Sequence, residues 1–577
     1  MQGKFSVFIN KIKRIFLRQP KNDLEDNVVN KDLLIPVNKL IRHFKFECKD
    51  DWFPDALLYK DYFKAINLKE YFLLYLNDSK YYKQVKSELY NLPKKGFTIR
   101  YALELPFKDR FLYHALISQL IPSYDKFLSP RVLSHRYSSK KGRPVKYLYK
   151  HPIEQWKTYE NYVRSSLISE EDNGVKNVLL ETDLVNYFEN IRIKDVIRIL
   201  RSRINDLDVD ERQLSLTKTI IDEIEGLLPE WSFHLRHGLS QNRDASSFLA
   251  NVLMSEVDSE MIDINKYDYY RYMDDIRIVC KNKYEARKAL KNLIIILRRY
   301  GLNVNSAKTK ILSEGDGEYD EFIKGGSRQL ERLDSMWKSK SLPVIQRSFP
   351  HLKKFILNLI SENKTQDRAF RFCIKRLEIL ALCKDIVVPD EYFSDITDVI
   401  INEINNQPYT TDQFVRYLKA VNLSEVQLKN LKELFLNENT WVYGWQIFLL
   451  WQLFVYKSYK DEEIVSRALD VISDTNSSPI VMSGAALYIG SVGEEEEKIN
   501  LATNFKNIKS YLAQRNALIA LQSLDYKRYI RDNVEPYVHS SLKGTYRNVK
   551  KHFPDIYFSE LESVSYKDIY NEFSHYE

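Results

Sequence analysis

Apolar positions early in the chain recur at helical spacing. Ala56, Leu57, Tyr59, Tyr62, Phe63 and Ile66 predict helix over 54–92, stopped by Pro93. From Asn177 the pattern changes. Val178-Leu179-Leu180-Glu181-Thr182-Asp183 reads as a buried strand that closes on an acid. Residues 193–204, 211–228 and 245–257 carry helical periodicity, the last just after a Gly-containing loop. Residues 267–272 and 276–280 read as two short strands separated by Met273-Asp274-Asp275, which predicts a tight hairpin. A strong helix over 285–300 is stopped by Gly301, and 302–304 and 309–312 are extended again. The order is β-α-β-β-α-β with a long helical insertion in the first crossover. It matches the ferredoxin-like split βαβ unit, whose sheet would make these strands neighbours.

Beyond about residue 335 the strand signals stop. Pro343, Pro350, Pro389, Pro408 and Pro479 punctuate amphipathic helices, among them 367–383, 427–435, 445–456, 463–473 and 511–524. Their lengths and short polar connections suggest stacked helical hairpins, HEAT-like in character, although no clean period repeats. Residues 494–497 read as a solvated acidic turn. The expected fold class is therefore α+β. Residues 1–82 form a helical extension, 83–335 hold an antiparallel sheet with its helices, and 336–577 form an all-α domain.

Composition narrows the classes. A chain of 577 residues with 44% hydrophobic positions can bury sizeable cores, which excludes low-complexity disorder for most of it. Cys48, Cys280, Cys373 and Cys383 form no C-x-x-C pair, so neither a disulfide framework nor a zinc ribbon is expected, and a reducing, cytoplasmic setting fits. Lys4, Lys11, Lys13, Arg14 and Arg18 lie among the first apolar residues without a signal-peptide core, and 11–18 would form a basic amphipathic helix with a solvated face. No run of 18 apolar residues predicts a membrane span. The net charge of +8 is unevenly placed. Residues 83–150 carry fifteen Lys or Arg against four acids, a net +11, while the rest of the chain is −3. A basic segment interleaved with Tyr and Phe is the footprint of a phosphate-binding surface.

Three acids carry the candidate chemistry. Asp183 ends one predicted strand, and Asp274 and Asp275 lie at the hairpin between two others. Like charges brought together raise one another's pKa, and divalent cations remove that cost. Mg²⁺ takes one or two carboxylates plus substrate phosphates. Two ions about 4 Å apart can activate an attacking hydroxyl and stabilise a leaving pyrophosphate. This reading points to nucleotidyl transfer. A Tyr-x-Asp-Asp string alone is a weak signal and equally describes a polar turn; the order of the surrounding elements gives it weight.

With these residues assembled, the chain resembles reverse transcriptases over about 95–315. Tyr272-Met273-Asp274-Asp275 resembles their palm motif. Asp183-Leu184-Val185-Asn186-Tyr187-Phe188 resembles the first catalytic motif, an Asp followed five residues later by an aromatic. The run from His237 to Asn251 resembles the dNTP- and template-handling motif, usually Gly-x-Pro-Gln-Gly before an apolar helix. Ser240 here replaces the Pro and Asn242 the second Gly. Gly301-Leu302-Asn303-Val304-Asn305-Ser306-Ala307-Lys308-Thr309 resembles the later Gly-Leu-x-x-Asn-x-x-Lys-Thr motif. Pro106-Phe107-Lys108-Asp109-Arg110 and Ser134-His135-Arg136-Tyr137 resemble finger motifs. A long helical C-terminal extension resembles the bacterial abortive-infection, defence-associated class.

The resemblance implies a fingers–palm fold and an RNA-directed or template-independent DNA polymerase acting in antiphage defence. Asp183, Asp274 and Asp275 would hold two Mg²⁺ ions, or Mn²⁺. Phe188 would pack under the incoming sugar and exclude a 2′-hydroxyl. Gln241 and Arg243 would contact nucleotide or template, and Lys308 would neutralise or protonate pyrophosphate. Arg100 and Arg110 are candidates for triphosphate contacts, because a guanidinium matches phosphate bidentately. Implied partners are dNTPs, an RNA template (a non-coding RNA) or none, a DNA product that a tyrosine of the chain would prime, and further copies of the chain; a membrane is not among them. Two rival readings remain at this point. One is an RNA-synthesising palm polymerase, against which Phe188 weighs. The other is a catalytically idle palm joined to a helical scaffold that binds nucleic acid or a phage trigger.

Overall fold

The computed structural model describes residues 32–49, 51–79, 82, 85–139, 147–168, 178–325, 328–553 and 565. The expected basic helix over 11–18 lies outside them. Three helices come first: α1 (Val37–Glu47), α2 (Lys60–Ala65) and α3 (Leu68–Asn77). A hairpin of β1 (Glu88–Lys94) and β2 (Thr98–Glu104) follows, then α4 (Phe107–Tyr124) and α5 (Pro152–Ile168). The predicted helix over 54–92 therefore stops short, since 88–94 is a strand. Pro93 sits inside it, opposite Ile99, in a sheet of only two strands. Both strands are then edges, where a missing N–H is tolerated. The turn uses Gly96 at φ +79° and Phe97 at φ +58°, a left-handed pair that suits a tight antiparallel connection.

The second sheet holds the palm. Its strands are β3 (Val178–Thr182), β4 (Asp268–Tyr272), β5 (Asp275–Cys280) and β6 (Lys310–Leu312), in spatial order β4-β5-β3-β6, all antiparallel. This is the split βαβ order expected from the sequence. Between β3 and β4 run α6 (Tyr187–Asn190), α7 (Ile193–Ser202), α8 (Glu211–Leu227) and α9 (Asp244–Ser259); α10 (Lys283–Arg299) joins β5 to β6. The predicted strand over 302–304 is only an isolated bridge between Leu184 and Val304. Helix α4 is buried almost all round, so its sequence shows no polar face: Phe111, Leu112, Ala115, Leu116 and Leu120 are fully buried.

Beyond β6 the described chain is helical. Helices Arg368–Leu382, Thr411–Ala420, Gly444–Tyr456, Pro479–Val492 and Tyr511–Ala520 pack side by side in sequence as an inner row. Helices Asp390–Glu403, Glu425–Leu436, Glu462–Ser473 and Glu495–Asn504 form an outer row. Alternate helices stack on alternate helices, the geometry of an α-solenoid. The inner row explains why no sequence period is visible. Gly444–Tyr456 and Pro479–Val492 are apolar on every side because both flanks are covered, which erases amphipathic periodicity. Residues 494–497 are not a turn: Glu495, Glu496 and Glu497 form the first turn of a helix, where the positive end of the dipole favours acids. No described helix is long and apolar enough to cross a membrane, and all four cysteines are buried and free.

Candidate active site

The palm sheet brings the three acids to one corner. Asp183 follows β3 directly, and β3 is flanked by β5 and β6. The β4–β5 hairpin pairs Tyr272 with Asp275, leaving Met273 and Asp274 as its turn, with Met273 at φ +54°. The hairpin is fixed from below by Arg271, which is fully buried. Its guanidinium donates to both carboxylate oxygens of Asp258 (2.8 and 2.7 Å), to Asn251 Oδ1 (2.8 Å) and to the Met273 carbonyl (2.9 Å). The Met273 N–H donates to Ser134 Oγ at 3.0 Å, and the Ser134 carbonyl accepts from Asn251 Nδ2 at 2.9 Å. Sequence reasoning missed this support. The available signal was Asn251 and Asp258, seven residues apart on one face of α9, aimed at an arginine next to the motif.

Electrostatics record the crowding. Burial, the charges of Asp183 and Asp275 and a hydrogen bond shared with Asp183 push the half-buried Asp274 carboxyl up to about 7. Burial and then Asp183 raise Asp275 to about 6, against the pull of Arg277 and Lys308. Lys308 Nζ donates to Asp183 Oδ2 at 2.6 Å. Burial lowers the Lys308 ammonium, but the bond to Asp183 and the three acids more than offset this, so its pKa is raised. The 301–309 segment is laced along the same edge. The Asn305 N–H donates to the Asp183 carbonyl (2.7 Å), and the Thr182 and Thr309 hydroxyls meet at 2.7 Å.

The corner therefore attracts cations, and one ammonium already sits on it. Among the described residues no three His, Cys, Asp or Glu side chains close on a point as a finished metal cage. Mg²⁺ does not need one, because it keeps waters and takes substrate phosphates as ligands. Two carboxylates in hydrogen-bond contact with a third beside them fit that donor set.

The remaining expected residues divide. Phe188 is half-buried in α6, and its carbonyl accepts from the Leu239 N–H at 2.9 Å, so it lies against the 237–242 loop. Gln241 Nε2 donates to Glu189 Oε1 at 3.3 Å on the same short helix. The two departures from the usual motif have local reasons. Asn242 adopts φ +56°, the left-handed conformation that Asn tolerates in place of Gly. Ser240 is buried and donates to the Leu103 carbonyl at 3.1 Å, tying the loop to β2. Arg100, on β2, lies over the Trp52 ring at 5.4 Å. Burial depresses its guanidinium, while the charges of Asp274, Glu189 and Asp412 pull the other way, which puts it within electrostatic reach of the acidic corner.

Arg110 and Arg243 are not with it. Both are buried, where a triphosphate would need an open guanidinium. Arg110 bonds Asp51 and the Glu47 carbonyl (3.0 Å), and Arg243 bonds Glu104 Oε2 (2.9 Å) with Asp51 at 3.5 Å. Next to this cluster His43 and His135 hold the two oxygens of Asp244 at 2.7 and 3.2 Å. Burial opposes the Asp244 charge, but the two histidines keep its carboxyl well below the usual range. These residues brace the start of α9 against the fingers. Their partners lie far off in sequence, which is why the motif alone suggested ligand contacts.

Residues 93–348 match the family model described as reverse transcriptase (RNA-dependent DNA polymerase). Solved structures similar to the chain include telomerase from Candida albicans with a fragment of telomeric RNA, at 12% identity and TM-score 0.30, covering 69% of this chain and 67% of that one. Apo telomerase from Candida tropicalis is similar at 13% identity and TM-score 0.29, covering 73% and 65%. A C-terminally truncated form is similar at 14% identity and TM-score 0.28, covering 43% and 56%. The chain thus spans about two thirds or less of their length. No curated protein matches the sequence. Residues 93–348, with Asp183 and the Asp274–Asp275 hairpin on their sheet, carry a reverse-transcriptase domain.

Proposed function

We propose that the chain is a DNA polymerase that adds dNTPs by two-metal nucleotidyl transfer, on an RNA template or without one, and that it acts in antiphage defence. The observation that carries the catalytic reading is the meeting of Asp183 with Asp274 and Asp275, whose raised carboxyls ask for cations. Asp183 and Asp274 would hold both Mg²⁺ ions, with Asp275 in support; bound there, the ions lower the cost of deprotonating the attacking hydroxyl and offset charge on the pyrophosphate. The protein's own groups do the rest. Lys308, seated on Asp183, supplies a cation and a proton at the edge where pyrophosphate leaves. Arg100 neutralises phosphate charge from the finger side. Phe188, backed by the 237–242 loop, fills the space a 2′-hydroxyl would take. The domain division at 82 and 335 belongs to the same reading. The defence reading is supported by the join of a palm to a two-row helical solenoid.

The test is direct. Purified protein is incubated with Mg²⁺ and each dNTP, with and without added RNA, and the product is sequenced. Native protein should make DNA, and Asp183→Ala and Asp274→Ala should make none. An unaltered product from both variants would end the proposal. Phage protection that persists in the Asp274→Ala strain would leave the helical scaffold as the active part.

A further inference from the structure

Charge on this chain is sorted by face. In the helical domain the four outer-row helices carry thirteen acids against four Lys or Arg. The five inner-row helices carry seven Lys or Arg against two acids. On the palm, α10 has the opposite sign to the outer row, with six Lys or Arg and a single Glu. Its buried side, which includes Ala286, Ala289, Leu293 and Leu297, packs against β3 and β5. The opposite stripe, Tyr284, Lys288, Lys291, Ile295 and Arg298, repeats at helical spacing and is exposed.

Two observations separate this stripe from an ordinary solvated face. Its cations are unclaimed: Arg299 pairs with Glu260, whereas Lys288, Lys291 and Arg298 have no ion pair among the described residues. Large apolar side chains also stand among them. Tyr284 is 75% exposed and Ile295 51%. Ile264, 73% exposed, adds a third on the adjoining turn. That turn lies beside Ile295, because Asn292 Nδ2 donates to Asn265 Oδ1 (3.4 Å) and Arg299 to Glu260, one on either side of it along the helix. An apolar centre with charge at its rim is the layout of a protein interface. The outer row holds the complement. Helix Asp390–Glu403 carries five acids and no Lys or Arg. Glu391 in it is exposed and has no ion pair among the described residues. Gln427 Nε2 donates to Asp398 Oδ1 at 2.8 Å, which seats the start of the next outer helix against it. There Glu425 is exposed, and Val426 is 67% exposed among the acids.

We propose that the exposed stripe of α10 docks on the outer helical row of a second copy of this chain, at helices Asp390–Glu403 and Glu425–Leu436. Tyr284, Ile295 and Val426 lie at the centre of the contact, and the cations of one copy face the acids of the other. The two faces differ and belong to different parts of the chain. The contact is therefore heterologous: each copy gives one face and receives the other, so that copies close into a ring or run on as a filament. A nucleic acid or an anionic membrane would also meet the cations. Neither would account for an acidic face with its own apolar tip on the same chain. The proposal stands apart from the polymerase reading, since none of its residues belongs to the acidic corner or to the 237–242 loop.

Sedimentation velocity of the full chain over a concentration series tests this. The native chain should assemble in about 0.05 M salt and fall toward monomer in about 1 M salt, where charges are screened beyond about 3 Å. That readout needs no variant. Lys288→Glu with Lys291→Glu sets like charges against the acidic face and should weaken assembly by about a hundredfold or more. Glu391→Lys with Glu425→Lys should do the same from the other side. All four positions are exposed, so the melting temperature should stay native. Neither double variant should assemble alone. An equal mixture of the two should, because each copy then finds a face of opposite sign on the other. A native chain that stays monomeric at every concentration in low salt would overturn the proposal. So would assembly that survives both double variants, or a mixture of folded variants that stays apart. Fluorescent oligo-dT and phosphatidylserine vesicles are titrated alongside. If Lys288→Glu with Lys291→Glu loses either of these while assembly is unchanged, the stripe belongs to a polyanion and the proposal fails.

Discussion

At the scale of single residues the acidic corner is a site held at a cost to the fold. Asp274 and Asp275 have carboxyls raised to about 7 and about 6, above their unfolded values near 4. The folded state therefore holds protons that the unfolded chain releases. The stability tied to these groups is complete below about pH 4 and is lost as pH rises through 6 to 7. Without divalent metal, Asp274→Asn should therefore raise the melting temperature at pH 8 by about 2–4 °C, and the gain should vanish by pH 4. Adding Mg²⁺ should raise the melting temperature of native protein at pH 8 and leave Asp274→Asn nearly unmoved, which calorimetry can read. A second residue prediction concerns sugar choice. Phe188→Ala opens the space beside the 237–242 loop, so the preference for dNTP over rNTP in single-turnover incorporation should fall by about two orders of magnitude. An unaltered preference would remove Phe188 from that role.

At the scale of elements, the hairpin and the loop that shape the corner are set by partners outside the motifs. Arg271 is the clearest case. Arg271→Met leaves the buried Asp258 carboxylate without its cation, with only the Tyr269 hydroxyl (2.9 Å) on it, and takes the donor from Asn251 Oδ1, so urea unfolding should show a loss of about 3–5 kcal/mol. Converting Asp258 to Leu as well should recover part of it, because the uncompensated buried charge is then gone. At Asn242 the backbone is left-handed. Asn242→Gly should be neutral within a few tenths of a kcal/mol, and Asn242→Val should cost about 1–2 kcal/mol. These contrasts also show what was legible. The palm strands could be read because each is a short apolar run beside a motif, and helices of both rows could be read from their apolar runs between prolines, whereas the outer helix Glu495–Asn504 could not, because it opens on a run of acids. Hairpin β1–β2 could not, because Pro93 inside a strand signals a stop unless the strand is known to be an edge. The roles of Arg110 and Arg243 could not, because their acids lie between 59 and 196 residues away in the chain. Charge at a motif predicts ligand contact only when no distant carboxylate claims it.

At the scale of the whole molecule, the helical rows are docked on the N-terminal helical segment and the β1–β2 hairpin and clamped there. Arg515, in the last inner helix, is fully buried. It donates to Asp61 (3.0 and 2.8 Å) and to both oxygens of Asp55, and its guanidinium lies over the Tyr59 and Tyr62 rings at 4.9 and 4.5 Å. Glu88, at the start of β1, accepts from Ser510 Oγ (2.8 Å) and from the Tyr511 N–H, so a carboxylate caps the same helix's positive end. Tyr443 OH donates to the Phe97 carbonyl at 3.0 Å, and Trp445 Nε1 to the Trp52 carbonyl at 2.8 Å. The second of these fixes the residue on which Arg100 rests. Position of the finger hairpin, and with it of Arg100 and Tyr101, therefore depends on the solenoid. Arg515→Met strands two buried aspartates without a cation, so it should cost about 3–5 kcal/mol and split thermal unfolding into two transitions, the fingers and palm apart from the helical rows. Because the acids of the palm are untouched, Mg²⁺ should still raise the melting temperature of the palm transition while dNTP incorporation falls. A single cooperative transition in Arg515→Met, as steep as in the native chain, would mean that the rows and the fingers hold together without this clamp.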